Sequence, residues 1–301
     1  MIKVNNYTLR TNKIKKDLDI LVISDLHNKD NYLNSVNKYL KKEKINLDYI
    51  LMPGDILDRH NLKNEDSFID ELIELSKNYK IIMALGNHDR YDKNDKKKML
   101  NDIEYIQSNF YNRINNNDNI IIGVENFKKA IKKDNICISI LNFNNKYYEK
   151  REKINDFKEY MKEIDKNNKL SNKDFNILLV HSPNCLIENK KIINYSDIIN
   201  NSNLILCGHN HAGLIPTPIQ DKLKNGIGLV GPFNTFFPKN SYGIFSNGSK
   251  NLLISNGLTK VSDISIFRFL NSLLIPEIDL IHIKKTSYNN FKLNNRKKYR
   301  V

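Results

Sequence analysis

The stretch LILCGHNHAGLIP, residues 204–216, joins a short apolar run to a turn that contains His209 and His211. The run is rich in Leu and Ile and only a few residues long, which is typical of a strand buried on both faces of a sheet. The histidines follow at once, where such a strand would end. Five other runs have the same character: DILVIS (19–24), YILM (49–52), KIIMAL (80–85), ICISIL (136–141) and NILLV (176–180).

The segments between these runs have the period of amphipathic helices. In residues 31–44, mostly apolar side chains recur at i, i+3, i+4 and i+7 from Leu33 to Leu40. The same period predicts helices over 64–78, with Asp66 or Ser67 as the N-cap, over 96–110 and over 151–164. Strands that alternate with helices predict an α/β domain whose sheets are covered by helices.

The pattern changes after residue 215. The segment up to residue 250 is rich in Gly, Pro and Asn and predicts loops and short strands. Two later runs, 251–257 and 276–285, again indicate strands. Residues 286–301 are polar and basic and are predicted to be a loosely held tail. We therefore expect one domain over residues 1–285 and a basic C-terminal tail over 286–301.

Polar side chains follow five of the apolar runs directly, and five of the seven histidines of the chain are among them. Ligands of open α/β sheets collect beyond the carboxyl ends of the strands, so these groups are expected to converge at one edge of the sheet. They are Asp25 and His27 in DLH, Asp55 and Asp58 in GDILD, Asn87, His88 and Asp89 in GNHD, His181 in HSP, and His209 and His211 in GHNH.

This mixture of carboxylate oxygen, amide oxygen and imidazole nitrogen suits divalent first-row metals. There are more candidate ligands than one four-coordinate ion needs. Two ions about 3.5–4 Å apart, bridged by a carboxylate, would use them. Such a centre would hydrolyse a phosphate ester by in-line attack of a metal-bridging hydroxide on phosphorus. Mn²⁺ is the expected metal, with Fe or Zn²⁺ as alternatives.

These motifs resemble, in order and approximate spacing, those of the calcineurin-like metallophosphoesterases. Each motif alone is weak, but the set covers residues 20 to about 258 and each member follows an apolar run. The resemblance is closest to a bacterial branch with GHNHAG, a Pro-containing loop and a later SNGL (255–258). It implies a four-layer α-β-β-α sandwich of two mixed sheets flanked by helices. The usual HGGQ of that branch is HAGL here, so the nearby substrate loop is expected to differ.

The resemblance also implies a role for each candidate residue. Two residues separated by one on a strand point to the same side, which would place His209 and His211 on one ion. The neighbouring glycines instead favour a turn, and the resemblance assigns the two histidines to different ions. His88 matches a histidine that contacts the phosphate or protonates the leaving group. The implied ligands are Asp25, His27 and His211 for the first metal, Asn87, His181 and His209 for the second, and Asp55 as the bridge.

Several residues also have simpler interpretations. Asp58 is expected to lie behind the ligands or to cap the next helix. His60 and His282 match no motif and are interpreted as ordinary surface or structural histidines. In GPFNTFFPKNSYG (231–243), the phenylalanines either pack beneath the sheet edge or form a wall of the substrate pocket.

Composition narrows the remaining possibilities. The 301 residues carry a formal charge of +14, which either reflects a Lys- and Asn-rich composition or attracts nucleic acid or an anionic membrane. A small phosphorylated substrate is the expected partner, with a nucleic-acid phosphodiesterase and a non-catalytic scaffold as alternatives. The three cysteines lack a disulfide pattern and favour a reducing compartment. No signal peptide or transmembrane run is visible, which predicts a cytoplasmic protein, with peripheral membrane association as an alternative.

Overall fold

Two β-sheets packed face to face form the centre of the protein, with helices on both outer faces. We describe them from a computed structural model. It describes residues 1–29, 31–58, 63–92, 98–144, 146–149, 154–188, 190–220, 226–231, 235–257 and 274–299. This architecture confirms the four-layer α-β-β-α sandwich of two mixed sheets predicted from the sequence.

Within the described residues, the first sheet has seven strands. In spatial order the strands are β17 (Asn290–Tyr299), β1 (Ile2–Thr11), β16 (Glu277–Lys285), β2 (Leu18–Val22), β3 (Tyr49–Met52), β4 (Ile81–Met83) and β5 (Ile120–Ile122). Strands β2 to β5 are parallel to one another, whereas β17 runs antiparallel to β1 and β2 runs antiparallel to β16.

The second sheet has six strands in the described part of the chain. Its four central strands are parallel and its two edge strands are antiparallel to their neighbours. In spatial order they are β14 (Gly243–Asn247), β15 (Lys250–Ile254), β11 (Leu204–Cys207), β8 (Phe175–Leu179), β7 (Ile136–Leu141) and β6 (Phe127–Lys133). Two small pairs complete the strands: β9 (Ile187–Glu188) with β10 (Lys191–Ile192), and β12 (Val230–Gly231) with β13 (Thr235–Phe236).

Helices connect the strands and cover the outer faces. A short turn, His211–Leu214, follows β11, and all four of its residues have left-handed φ. The helices are α1 (Tyr32–Lys42), α2 (Glu65–Ser76), α3 (Asn87–Arg90), α4 (Asp102–Ile106), α5 (Asn109–Ile114), α6 (Lys146–Glu149), α7 (Ile154–Asn167), α8 (Asp197–Asn201) and α9 (Thr217–Gln220).

Three apolar clusters hold the layers together. The cluster between the sheets combines side chains of both, such as Val22 and Leu51 of the first sheet and Leu179 and Leu206 of the second. The outer face of the first sheet packs against α1, α2, α4 and α5, and that of the second against α6, α7 and α8. The strands are therefore buried on both faces, which is why they read as continuous apolar runs in the sequence.

Two helix predictions were wrong in detail. The helix expected over 96–110 is broken into α4 and α5, because the Ser108 hydroxyl accepts a hydrogen bond from the Tyr111 amide and starts a new helix. Residues 96 and 97 lie outside the described part of the chain. Neither Asp66 nor Ser67 is the N-cap of α2, since that helix begins after Asn64.

The prediction of a loosely held tail over 286–301 was also wrong. Within it, Asn290–Tyr299 form β17, an edge strand paired antiparallel with β1. Its side chains are mostly exposed, which explains the polar sequence, but Phe291 is buried between the sheets. Lysines on an edge strand also discourage pairing with a further chain. We propose that this strand belongs to the same domain as residues 1–285.

Strand β1 brings a charged side chain into the interior. Lys3 is 1% exposed and donates to Glu277 Oε1 at 2.9 Å, and Glu277 is 2% exposed. Glu277 Oε2 accepts from the amides of Asn5 (2.8 Å) and Asn256 (2.6 Å). The network ties β1 and β16 to the end of β15, and a buried pair satisfied in this way avoids most of the cost of burying charge.

Cys137 and Cys207 lie buried in β7 and β11, as predicted, and Cys185 is also buried, with its Sγ 3.6 Å from the Tyr147 carbonyl oxygen. In the part of the chain that the structure describes, no helix has both the length and the apolar character needed to cross a bilayer.

Candidate metal centre

The candidate site lies where the carboxyl ends of strands from both sheets meet. Asp25 and His27 follow β2, Asp55 follows β3, and Asn87 and His88 follow β4. The second sheet contributes His181 after β8 and the two histidines after β11. The side chains thus converge as predicted, but at the edges of two sheets rather than one.

One group of candidate ligands combines Asp25, His27 and His211, with one ligand atom of each within 4.8 Å of the others. The Asp25 Oδ1 atom lies 3.8 Å from His211 Nε2, and the rings of His27 and His211 stack with centroids 5.4 Å apart. Asp25 Oδ1 also accepts the backbone amide of His209 at 3.0 Å, so it holds the GHNH turn in place.

A second group combines Asp55, His181 and His209 within the same limit. His181 Nε2 lies 3.1 Å from Asp55 Oδ2 and 3.2 Å from His209 Nδ1. The other ring nitrogen of His181 donates to the Pro53 carbonyl at 2.9 Å, because a carbonyl can only accept. That bond orients the ring with Nε2 toward its two partners, as in histidines that bind metals.

Asp55 connects the two groups. His27 Nε2 lies 3.9 Å from Asp55 Oδ2, and Asp55 also forms a third group with His27 and His88. Its Oδ1 accepts the His88 backbone amide at 2.8 Å, which brings the GNHD turn against it. Asn87 stands in that turn and is 7% exposed.

The backbone at these positions is strained. Left-handed φ values cost a non-glycine residue of order 1 kcal/mol, and such residues persist where the surrounding structure fixes them, often at functional sites. Gly213, next to the GHNH turn, also has a left-handed φ of 60°. Five candidate ligands have left-handed φ: Asp25 (53°), His27 (49°), Asp55 (51°), His209 (72°) and His211 (44°).

Glycines make room for the carboxylates. A Cβ atom at Gly257 would lie 2.6 Å from Asp25 Oδ2, and one at Gly208 would be closer still. At Gly54, before Asp55, a Cβ would lie 2.7 Å from His181 Nδ1. The SNG of SNGL thus has a local purpose: Gly257 lets the end of β15 pass against Asp25.

Several buried atoms of the site lack a partner within the protein. Among the described residues, these include Asp25 Oδ2, Asn87 Oδ1, His209 Nε2 and His211 Nδ1. Buried polar atoms without partners are costly, and an ion is one way to satisfy them. Together with the oxygen and nitrogen donor set, they fit divalent metals.

The carboxylates and imidazoles control one another's protonation. Burial raises the pKa of Asp55, but His181 and His88 outweigh it and hold that pKa well below its usual range. Burial lowers the pKa of His181, but Asp55 reverses this and raises it to about 9. Burial lowers the pKa of His27 to about 3 and that of His209 well below its usual value. Metal binding would displace the proton held by His181.

Two further aspartates lie around His88. Asp58 Oδ1 lies 3.6 Å from His88 Nδ1, so Asp58 lies beside the candidate site, and it does not cap α2, whose N-cap is Asn64. Asp89 is fully buried and accepts from the amides of Leu57 (2.7 Å) and Gly86 (2.8 Å). Burial and the nearby Asp55 raise the pKa of Asp89 to about 7.

Tyr148 is a site neighbour that the sequence did not reveal. Its ring lies 5.8 Å from that of His181 and 5.7 Å from that of His209, and its hydroxyl donates to the Leu85 carbonyl at 3.3 Å. It stands on the short helix α6, in a polar segment without a motif, so no pattern indicated its position.

The remaining histidines and the phenylalanines of residues 231–243 lie outside the two groups of candidate ligands. His282 is structural, as interpreted, since its Nδ1 lies 2.9 Å from Asp19 Oδ1 on the neighbouring strand. His60 lies outside the described residues. Phe236 and Phe237 are 68% and 67% exposed, so they do not pack beneath the sheet edge; Phe233 lies outside the described residues.

Comparison with known proteins identifies the family. The family model described as calcineurin-like phosphoesterase matches residues 18–213. No curated protein matches the chain. Similar solved structures include an archaeal phosphodiesterase, with 12% identity over 80% of this chain and 85% of that chain and a TM-score of 0.36. A metallophosphoesterase from Sphaerobacter thermophilus has 12% identity over 82% of this chain and 80% of that chain, with a TM-score of 0.32. Another is the purple acid phosphatase PPD1 from yellow lupin, Lupinus luteus, with 12% identity and a TM-score of 0.39. That match covers 67% of this chain and 39% of the phosphatase.

The assignment rests on the family model, which spans most of the chain and ends just beyond the GHNH turn. The chain belongs to the calcineurin-like phosphoesterase family.

Proposed function

We propose that this protein is a dinuclear metal-dependent phosphoesterase that hydrolyses a phosphomonoester or phosphodiester. The observation that carries the proposal is the convergence of candidate ligands from both sheets into two groups, Asp25–His27–His211 and Asp55–His181–His209, with His27 Nε2 3.9 Å from Asp55 Oδ2. Membership of a phosphoesterase family supports the reaction class.

The geometry supports a particular division of the ligands. Asp25, His27 and His211 would hold the first ion, and Asn87, His181 and His209 the second, with Asp55 between them. The two groups agree with this division. Asn87 belongs to neither group, and its proposed role rests on its position next to His88, whose amide donates to Asp55. His209 and His211 would then bind different ions. An anomalous-scattering map of the Mn²⁺-loaded protein tests this division directly.

Two divalent ions bound here would neutralise the phosphate charge and make water a better nucleophile for in-line attack. Mn²⁺ is our first choice, with Fe and Zn²⁺ also compatible with these donors. The chain itself orients the ligands. Pro53 fixes the His181 ring, and the amides of His88 and His209 hold Asp55 and Asp25.

His88 is the proposed catalytic residue outside the ligand set. Burial lowers its pKa, but Asp55 and Asp58 raise it above the usual value, which favours the protonated ring. Asp58 Oδ1 lies 3.6 Å from His88 Nδ1, where its negative charge stabilises the protonated ring. A protonated His88 could then hydrogen-bond to the phosphate or give its proton to the departing oxygen.

The central test uses Asp55→Asn, which keeps the shape of the side chain. We expect the Mn²⁺-dependent hydrolysis of an aryl phosphate or a bis-aryl phosphodiester to fall at least about a hundredfold, the scale on which one electrostatic stabiliser acts. Asp19→Asn is the matched control, because Asp19 pairs with His282 away from the site. Mn²⁺-dependent hydrolysis that persists in Asp55→Asn would contradict the proposed dinuclear mechanism.

The role of His88 is tested with leaving groups of different basicity. A nitrophenolate needs little protonation, whereas an alkoxide needs a proton as it departs. His88→Asn is expected to slow hydrolysis of an alkyl ester at least about tenfold more than that of the nitrophenyl ester. Equal losses on both esters would leave phosphate binding as the role of His88.

A DNA or RNA substrate in the same panel, measured at several salt concentrations, tests the nucleic-acid alternative.

A further inference from the structure

A short hairpin beside the candidate metal centre exposes an unusual amount of apolar surface. Strands β12 and β13 pair Val230 with Phe236, and the Phe237 amide donates to the Leu229 carbonyl at 3.0 Å. Leu229 is 36% exposed, Phe236 68% and Phe237 67%. Together with Ile227, 37% exposed, we call these four residues the apolar hairpin.

The apolar hairpin concentrates exposed apolar side chains in one place. Within the described residues, nine large hydrophobic side chains are exposed, and five of them fall between Ile219 and Phe237. Scattered exposed hydrophobics need no explanation, but a cluster of them marks a surface that another molecule covers.

The hairpin is fastened to the turn that carries the candidate ligands. The Leu229 amide donates to the Gly213 carbonyl at 2.7 Å, two residues beyond His211. At its other end, the Asn240 carbonyl accepts the side-chain amide of Asn210 at 3.1 Å, and Asn210 separates the two histidines of GHNH. The exposed side chains are therefore held at the rim of the centre.

Charge decides between the partners that could cover this surface. The chain has a formal charge of +14, and residues 215–243 contain three lysines and one acidic residue. A second copy of the chain would bring like charges together at the contact. An anionic bilayer instead accepts aromatic side chains at its interface and attracts lysines to its headgroups.

We propose that the apolar hairpin docks this protein on an anionic phospholipid surface, with the metal centre beside the point of contact. Aromatic side chains would enter the interface, while the net positive charge of the chain attracts it to the anionic headgroups. The docking does not depend on the proposed reaction, because it rests on the hairpin and on charge.

Vesicle flotation of the full chain tests the proposal. We expect the protein to float with vesicles of phosphatidylcholine containing roughly one-third phosphatidylglycerol, and to float much less with phosphatidylcholine alone or in high salt. Phe236→Ser/Phe237→Ser should weaken binding at least about tenfold. Ile103→Ser/Ile106→Ser is the matched control, because these side chains are also exposed (65% and 39%) but lie on α4; it should bind like the wild type.

A fluorescence measurement gives a second readout that keeps an aromatic side chain at position 236. The chain contains no tryptophan, so Phe236→Trp introduces a single reporter. Its emission should shift to shorter wavelength with anionic vesicles and be quenched by brominated lipid. The proposal is overturned if the wild type does not float with anionic vesicles, or if flotation persists in the phenylalanine double variant. It is also overturned if the emission of the introduced tryptophan does not change when vesicles are added. A dimer abolished by the same double substitution would also overturn it, in favour of a second copy.

Discussion

Replacing Gly257 with alanine should lower the activity of the candidate metal centre, whereas the same change at Gly248 should not. Both glycines have left-handed backbone, with φ of +60° at Gly257 and +62° at Gly248. Both substitutions therefore carry a similar conformational cost, of about 1 kcal/mol. The surroundings differ: nothing lies within 4 Å of a Cβ built at Gly248, whereas one at Gly257 lies 2.6 Å from Asp25 Oδ2 and 2.8 Å from the Ser24 carbonyl oxygen.

The size of the effect follows from these distances. Ordinary contacts begin at 3.4 Å, so the gap of 2.6 Å at Asp25 must open by about 0.8 Å (3.4 minus 2.6). Rotation of the carboxylate cannot relieve the overlap, because the Ser24 carbonyl and the Asp25 Cβ atom (2.9 Å) are also in the way. A misplacement of about 1 Å at a reacting centre costs on the order of a hundredfold in rate. We expect kcat/KM of Gly257→Ala to be about 30- to 100-fold below that of Gly248→Ala.

The assay is Mn²⁺-dependent hydrolysis of a bis-aryl phosphodiester, measured beside the metal content of each protein and its unfolding in urea. The unfolding measurement separates damage to the site from damage to the fold. Activity of Gly257→Ala within about threefold of Gly248→Ala, at equal metal content, would refute the argument that Gly257 makes room for Asp25.

Three other predictions concern charge and metal. Lys3→Met should lower the free energy of unfolding by about 3–5 kcal/mol, because it leaves Glu277 buried without its cation. The double variant Lys3→Met/Glu277→Gln should recover much of this loss. In urea unfolding, a change below about 1 kcal/mol for the single variant would contradict the prediction. Burial lowers the pKa of His88 while Asp55 and Asp58 raise it, so protonated His88 is lost as pH rises through a raised pKa. Asp58→Asn should therefore move the alkaline limb of the pH–rate profile to lower pH, and an unmoved limb would count against the pairing. Finally, Mn²⁺ at about 100 times its dissociation constant should raise the free energy of unfolding by about 2.7 kcal/mol in calorimetry, and a melting temperature unaffected by EDTA would argue against a metal in the folded state.

The sequence alone determined the strands of the centre and the residues at their ends. The runs DILVIS, YILM, NILLV and LILC correspond to strands β2, β3, β8 and β11, because strands buried on both faces must be apolar throughout. The polar residues that follow such runs stand out for the same reason. The candidate site was therefore predicted residue by residue, and the structure brings those residues together.

Sequence patterns did not predict two strands, β1 and β17, whose polar residues are stabilised by contacts with distant parts of the chain. Strand β1 was not predicted, because IKVNNYTLRT contains Lys3 and Asn5, residues that rarely lie in a core. They are buried because Glu277, more than 270 residues away, pairs with both. Strand β17 read as a tail because only pairing with β1 makes an exposed basic segment into a strand.

Only the tertiary structure decided how the parts of the site meet. The sequence places His209 and His211 one residue apart, but the left-handed turn at both residues and the approach of Asp25 and Asp55 from the other sheet separate them into two groups. The purpose of Gly257 likewise appears only when β15 passes against Asp25. Sequence patterns report which residues must be buried or exposed, whereas the distances between side chains on different strands depend on how the two sheets pack.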